Sequence, residues 1–318
     1  MTTEELKAAA LGPFRLAPWF SARPWGRMDL RPWYGNVGNN EPVGEAWLTG
    51  PESVVETGPM AGKKLAEVVA GNGRAVAGQD GAEFPLLVKL LFPNDKLSVQ
   101  VHPDDAQAQA MGRPRGKTEC WYVLEAESGA AIALGLKPGA TVESVRQGME
   151  QGTLEQMMQW VPVTTGEMIF VDAGTVHAIG RGMVLLETQQ TCDITFRMYD
   201  HGRARELHVE KALEVMRTET AAGKVAAREM NGFTRLIEQK YFTVDRYDVA
   251  AGDAATIDGG IPTCLAGLHG VGQVEWDGGE AVELRAGQAV VVPVSVEQAV
   301  VRSSPEGISF VRCFAPAG

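Results

Sequence analysis

One segment of this 318-residue chain gathers side chains that could hold a metal ion: Ser98-Val-Gln100-Val-His102-Pro-Asp-Asp. On a strand, residues two apart point to the same face. Ser98, Gln100 and His102 would then face one way and Val99 and Val101 the other. A face of Ser, Gln and His opposite valines is unusual for plain core, where an unpartnered polar group is costly; an exposed strand face is the ordinary alternative. Two later positions add to the set. Glu119 opens the run ECWYVLEA, and His177 closes Gly166-Glu-Met-Ile-Phe-Val-Asp-Ala-Gly174-Thr-Val-His177, where a strand and a glycine turn bring an imidazole to a strand end. Two imidazoles, a carboxylate and an amide oxygen suit Zn²⁺ with an open position, and would also accept Fe²⁺, Mn²⁺ or Co²⁺.

Other ionisable residues have competing readings. Lys89 lies inside FPLLVKLLF, where an unpaired ammonium would be expensive, so a partner or ligand is expected. Arg197 in ITFRMYD reads on its own as a strand arginine paired with Asp193 or Asp200. Glu45 and Trp47 in GEAW read as organisers of the first sheet, and His201 and His208 as surface histidines. The cysteines, Cys120, Cys192, Cys264 and Cys313, form no CxxC pair and no disulfide framework, which points to a reduced, cytoplasmic chain.

These residues need strands to position them, and the composition supplies strands. Hydrophobic residues at 45% and charged residues at 22% are globular values. The 37 glycines and 17 prolines suit a turn-rich β protein. A net charge of -11 excludes a general electrostatic footprint for nucleic acid or anionic lipid. Apolar runs are too short for a membrane helix, and the opening MTTEELKAAALG reads as an amphipathic helix without signal-peptide features. Residues 13–35, rich in Pro and Trp, read as an extended segment wrapped on a core that buries Trp19, Trp25 and Trp33. GEAWLTGPESVV reads as strand, turn and strand, and Leu65–Val69 as a short helix. From Phe84 short Val/Ile/aromatic runs follow one another, interrupted by helical stretches over 142–161 and 205–217. Residues 218–233 read as a linker, followed by a second all-β set. The fold class is mainly β, in two units: 1–230, carrying the chemistry, and 231–318.

The order and internal spacing of these motifs resemble the cupin superfamily. Gly166, Gly174 and His177 fall at the offsets of its second motif, with Asp172 in place of a proline. Its first motif is met as Gln100-Val-His102 followed by Glu119. The Gln-x-His form, with LLVKLLFPNDKLSVQVHPDD, GKTECWYVLEAESGA, GTVHAIGRG and the block from Glu187 through TQQTCDITFRMYD, resembles the type I phosphomannose (mannose-6-phosphate) isomerases. The likeness runs from about Gly44 to Met216 and is strongest to the short bacterial form. It implies two cupin-type β-barrel (jelly-roll) domains with a few helices, and one Zn²⁺ per chain held by Gln100, His102, Glu119 and His177. It further implies catalytic roles for Lys117, Glu187 and Arg197, and a sugar-phosphate pocket lined by Lys89, Ser98 and Arg203.

Isomerising mannose 6-phosphate to fructose 6-phosphate moves a proton between C2 and C1 through a cis-enediol. A cation must stabilise the developing charge and a base must shuttle the proton; Glu187 is one candidate for the base, with His102 and a metal-bound hydroxide as competitors. A metal-dependent cupin enzyme on another substrate, or a non-catalytic sugar-phosphate-binding relative, are the alternatives. The expected partner is a small sugar phosphate, with no nucleic acid and no membrane, and the chain a monomer or weak homo-oligomer. In the C-terminal unit Gly287 and Pro293 keep part of the second motif, but Ser295 and Gln298 replace its last Gly and His. His269 has no companion ligand there, so that unit reads as metal-free.

Overall fold

The computed structural model describes residues 11–35, 37, 40–80 and 83–316, so the helix read over the opening residues lies almost wholly outside the described residues. Among the described residues, short β-branched and aromatic runs, punctuated by glycines and prolines, form twenty-two strands with few helices. The strands pair antiparallel into sheets of ten, seven and five. None closes into a continuous hydrogen-bonded barrel.

The seven-stranded sheet runs, edge to edge, through Gly223–Val225, Met168–Val171, Glu119–Ala126, Met183–Gln190, Leu86–Leu91, Val43–Trp47 and Trp19–Arg27. Alternation along its central strands gives each a core face and a site face. Val88, Leu90, Cys120, Tyr122, Val184 and Leu186 enter a core shared with Val291, Val311 and Cys313 of the ten-stranded sheet. The intervening side chains point the other way. Of these, Leu91, Trp121, Val123 and Leu185 pack with Ile132, Leu134 and Ile179 of the five-stranded sheet. Lys89, Glu119 and Glu187 share the parity of that second face. Being covered on both sides, Leu86–Leu91 and Met183–Gln190 are buried throughout, polar residues included.

The five-stranded sheet is ordered Phe196–Tyr199, Val99–Val101, His177–Ile179, Ala131–Leu136 and Met158–Pro162. Val99 and Val101 are fully buried in its outer core with Val176, Ala178 and Met198. The ten-stranded sheet holds the C-terminal strands together with Phe14–Ala17 and Val54–Val55. Among the described residues no helix is long and apolar enough to cross a membrane.

Several local expectations change. The helix expected over Leu65–Val69 extends to Ala77, across a non-helical Asn72, because Val68, Val69 and Val76 all have core to pack against. The stretch 142–161 divides into helix Val142–Glu150, a 3-10 turn Leu154–Met157 and strand Met158–Pro162; the strand is claimed by pairing with Ala131–Leu136. The 205–217 helix is shortened to Val209–Val215. The expected linker contains two short strands, one of which extends the seven-stranded sheet beside Met168–Val171. Trp25 is buried, but Trp19 is 40% exposed and sits edge-on against Trp47.

Candidate active site

Three strand ends converge between the seven- and five-stranded sheets. Gln100 lies opposite His177 in the register of the five-stranded sheet and opposite Arg197 on its other side. His102 follows directly after its strand, and Glu119 begins the central strand of the facing sheet. The turn before His177 is held by Gly174, whose φ of 86° is the left-handed conformation that favours glycine. Its N–H donates to His102 O at 2.9 Å, so the turn also fixes the other histidine's backbone. Asp172, standing where the motif has proline, keeps this loop in place: its carboxylate accepts from Thr175 Oγ1 at 2.8 Å and Ala221 N at 3.1 Å.

His102, Glu119 and His177 are each at most 2% exposed, and a ligand atom from each falls within 4.8 Å of the others. His177 Nε2 is 3.3 Å and His102 Nε2 3.7 Å from Glu119 Oε1. Each imidazole is oriented from behind. His177 Nδ1 donates to Thr175 O at 2.9 Å and His102 Nδ1 to Ile194 O at 2.7 Å. A carbonyl can only accept, so both rings keep the proton on Nδ1 and turn a bare Nε2 toward the cluster. Burial depresses both imidazoles, His177 to about 4 and His102 well below its ordinary value, with Lys117 adding to the effect; both are neutral at pH 7.

His102 Nε2 and Glu119 Oε1 are buried without a hydrogen-bond partner. Buried polar atoms are almost always partnered, and a cation coordinated by both is the simplest occupant for such a pair. The Gln100 amide borders the same point, its Nε2 3.2 Å from His177 Nε2. These residues fit a divalent metal ion.

Beside the cluster opens a cavity of about 450 Å³, lined by Ser98, Gln100, Lys89, Lys117, Glu187 and Arg197 among others. Glu187 sits directly across from Lys89 on one neighbouring strand and Trp121 on the other. Its Oε2 accepts from Trp121 Nε1 at 3.1 Å, and its Oε1 lies 3.4 Å from Lys89 Nζ and 3.9 Å from Lys117 Nζ. Lys117 also pairs with Glu119 Oε2 at 2.9 Å. Burial alone would push both ammonium groups down. Glu187, Asp193 and Glu45 outweigh it for Lys89, as Glu119, Glu187 and Asp193 do for Lys117, so both lysines are raised and stay charged. The partner expected for Lys89 is thus Glu187 together with Asp193, 3.2 Å away.

Arg197 makes no carboxylate ion pair among the described residues. Its Nη1 donates to Glu206 O at 2.7 Å and its Nε is buried and unpartnered. The expected pairing with Asp193 or Asp200 is therefore not what holds it. Burial depresses its pKa, with Arg205 the next contribution. Glu187 and Arg197, ten residues apart in the chain, reach one cavity because the intervening loop carries the chain from the seven-stranded sheet to the five-stranded one.

Arg203 lies apart from this lining. It is tied to Asp200 and to Lys96 O, while Arg205, two residues on, lines the cavity. Arg23, Glu45 and Asp193 also line it. Glu45 was legible only as a sheet residue, and Arg205 is one basic residue in the run Arg203-Ala-Arg205-Glu, with no spacing to single it out. Nor are His201 and His208 free surface groups. His201 Nε2 bonds Leu97 O at 2.9 Å, and His208 Nδ1 accepts from Arg197 N at 3.0 Å. The three cysteines at positions 120, 264 and 313 are free and buried, and burial pushes Cys313 up to about 12.

The family described as phosphomannose isomerase type I, catalytic domain, matches residues 14–136. The mannose-6-phosphate isomerase of Streptococcus mutans is 34% identical over 287 residues, covering 86% of this chain and 90% of that protein. The crystal structure of the mannose 6-phosphate isomerase from Bacillus subtilis superposes with a TM-score of 0.84 at 27% identity, over 95% of this chain and 99% of that one. A phosphomannose isomerase of Salmonella typhimurium, at 15% identity and TM-score 0.78, shares the fold over 96% of this chain. Likeness of that extent, spanning both β units, makes the chain a member of the type I phosphomannose isomerase family of enzymes.

Proposed function

We propose that the chain interconverts mannose 6-phosphate and fructose 6-phosphate through a cis-enediol, at a Zn²⁺ ion held by Gln100, His102, Glu119 and His177. The observation that carries this reading is the pair of buried, unpartnered donor atoms, His102 Nε2 and Glu119 Oε1, beside a cavity rich in cationic side chains. When bound, such an ion supplies a Lewis-acidic charge beside the oxygens on C1 and C2. The remaining steps fall to the chain's own residues. Glu187, kept in place by Trp121 Nε1 and two ammonium groups, takes the proton from C2 and returns it to C1. Arg197, with no carboxylate to neutralise it, stabilises the negative charge that develops on the enediol oxygens. Lys117 holds Glu119 and Glu187 in register. Ser98 and the depth of the cleft position the sugar.

The chemistry is assigned to residues 1–230, and the C-terminal unit, 231–318, is assigned a metal-free supporting role. A coupled assay of mannose 6-phosphate against fructose 6-phosphate, run with and without a chelator, tests the proposal. Turnover that is lost on chelation and restored by Zn²⁺ is expected, together with close to one metal equivalent per chain. Absence of interconversion by the metal-loaded protein overturns it.

A further inference from the structure

The sugar phosphate of the proposed reaction has two ends with different needs. C1 and C2 must reach the reacting groups, while the phosphate, on C6, must lie away from them. The cavity carries five cationic side chains, and they too divide into two sets. Lys89 and Lys117 are at most 4% exposed, bridged by Glu187, and Lys117 touches Glu119 of the ligand cluster. Arg197 stands across the register from Gln100. These three belong to the reacting end, and the two lysines are buried beside the ligand cluster rather than exposed toward the cavity mouth.

The other two are arginines with 30% and 26% of their side chains exposed, and they come from opposite walls. Arg23 is on Trp19–Arg27 of the seven-stranded sheet, and Arg205 follows Phe196–Tyr199 of the five-stranded one. Each rests on a carboxylate as a bidentate fork. Arg23 Nε and Nη2 donate to Glu45 at 3.0 and 3.1 Å, and Arg205 Nε and Nη2 donate to Asp200 at 2.8 and 2.6 Å. The buried Asp200 is shared with Arg203, which also reaches Asp95 at 3.5 Å, so Asp200 is not left to Arg205 alone. Glu45 is engaged a second time by Trp47 Nε1 at 2.6 Å, whose ring lies against Lys89. The carboxylates take the Nε and Nη2 edge of each guanidinium and fix its orientation in advance, so a phosphate would meet the remaining N–H groups at the end of the fork.

Resting on the sugar-phosphate reading above, we propose that Arg23 and Arg205 form a two-arginine clamp that takes the substrate's phosphate at the cavity mouth, tying the two sheets together across it. Lys89 and Lys117 then serve the reacting end rather than the phosphate. In a chain of net charge -11 this clamp also provides the local positive field a dianion needs to enter.

The test compares Arg23→Leu and Arg205→Leu with the wild-type, metal-loaded protein, using mannose 6-phosphate turnover and calorimetric binding of inorganic phosphate. Each variant is expected to raise KM by about tenfold to a hundredfold, the loss of one charge-assisted contact, with a much smaller change in kcat. Phosphate affinity should fall in parallel, and Arg23→Lys should recover part of it. Arg23→Gln, which retains a hydrogen bond to Glu45 without the charge, stands in should the leucine variant not fold. Glu45→Gln separates a clamp from a structural ion pair: it should leave phosphate binding intact or tighten it, whereas a structural pair would be harmed alike from either side. Unchanged phosphate affinity in both arginine variants, or a fall in kcat without a rise in KM, overturns the clamp. Because phosphate binding needs no turnover, a wild type that binds phosphate through these arginines yet does not interconvert the two sugars would sink the isomerase reading and leave the clamp standing.

Discussion

Two β units of this chain share a turn pattern and have opposite interiors. Both enter a strand through a glycine with positive φ, Gly166 at 91° in the first unit and Gly287 at 75° in the second. Beyond that point they diverge. In the first, the strand leads to Gly174 and His177, and the space between sheets receives Lys89, His102, Lys117, Glu119 and Glu187, all buried. In the second, Ser295 and Gln298 stand in those positions, and the interior is Leu265, Val274, Val290, Val292, Val301 and Phe310, with Phe233, Tyr247 and Phe310 stacked in series. Burying five ionisable groups costs free energy that close-packed aliphatic side chains would have contributed. Among its described residues the second unit buries fewer, Asp245 paired with Arg235 and Arg312 bonded to Asp258 O, and its interior is otherwise apolar. The ten-stranded sheet, which Phe14–Ala17 and Val54–Val55 join, and the seven-stranded sheet pack through one continuous core, so this apolar layer supports the wall on which the charged groups stand. A cavity lined by charged groups and a close-packed apolar interior are thus separated in space within one chain.

The widest effect expected on that contrast comes from removing the ligands. His102→Ala combined with His177→Ala should abolish tight metal binding and lower turnover by about three orders of magnitude or more, the order implied by several kcal/mol of lost charge stabilisation. The variant should remain folded, because an imidazole pair rather than a packed core has been lost. Elemental analysis and circular dichroism check both points. A double variant that retains one metal equivalent would place the site elsewhere.

Next comes the converse substitution in the apolar unit. Phe310→Ala should cost about 3–5 kcal/mol, the range for truncating a buried aromatic, because Phe310 is fully buried and stacks on Tyr247. Chemical denaturation would report it. The folded fraction should keep its metal and its kcat, since no site residue is touched. Loss of metal affinity by folded Phe310→Ala would break the separation argued above.

Arg197→Ala is expected to lower kcat by about 10²–10³-fold, as loss of a preorganised charge-stabilising donor does, with metal content unchanged. Glu187→Gln should lower kcat and also slow exchange of the C2 proton with solvent. If zinc-loaded Arg197→Ala turns over at near wild-type rate, Arg197 is a structural strand residue and the charge falls to the metal and Lys117.

What could be read from residue types alone follows the physics of strands. Alternation placed Ser98, Gln100 and His102 on one side of their strand and the valines on the other, because burial of Val99 and Val101 leaves a three-residue strand no freedom of register. The Gly174-x-x-His177 turn was legible because few residues other than glycine adopt its φ. Arg23 and Arg205 were not, since a basic residue becomes part of a site only through which wall it stands on, and that is set by sheet pairings far apart in sequence. The family resemblance pointed to Arg203, which is held by Asp200 and Lys96 O, while Arg205 lines the cavity. Residues 158–161 looked helical because Met158, Trp160 and Val161 continue the spaced apolar residues of the 142–161 stretch. Pairing with Ala131–Leu136 overrode that local preference.

The smallest expected effect lies at the seam between the two units. Tyr241, which opens the C-terminal set, donates its hydroxyl to Asp105 Oδ2 at 2.6 Å, and Asp105 Oδ1 accepts from Gln190 Nε2 and Gly116 N, each at 2.9 Å. Gln190 Oε1 in turn accepts from Thr118 N at 3.0 Å, between Lys117 and Glu119. Burial alone would raise the Asp105 carboxyl; the donors Tyr241, Gln190 and Gly116 together outweigh it and hold its pKa below the ordinary value. A carboxyl depressed in the folded state contributes stability that is fully present above its unfolded pKa of about 3.9 and is lost as pH falls through the lower folded value. Tyr241→Phe removes one of those donors. It should cost about 0.5–1.5 kcal/mol at neutral pH, the range for one hydrogen bond. The gap from wild type should close below pH 4 as Asp105 protonates and the bond loses its charge assistance. Denaturant titrations at pH 7 and across the acid range would measure both. A gap that stays constant through that range would mean Tyr241 contributes by packing alone, and the seam would then hold the two units together without reaching the Lys117–Glu119 strand.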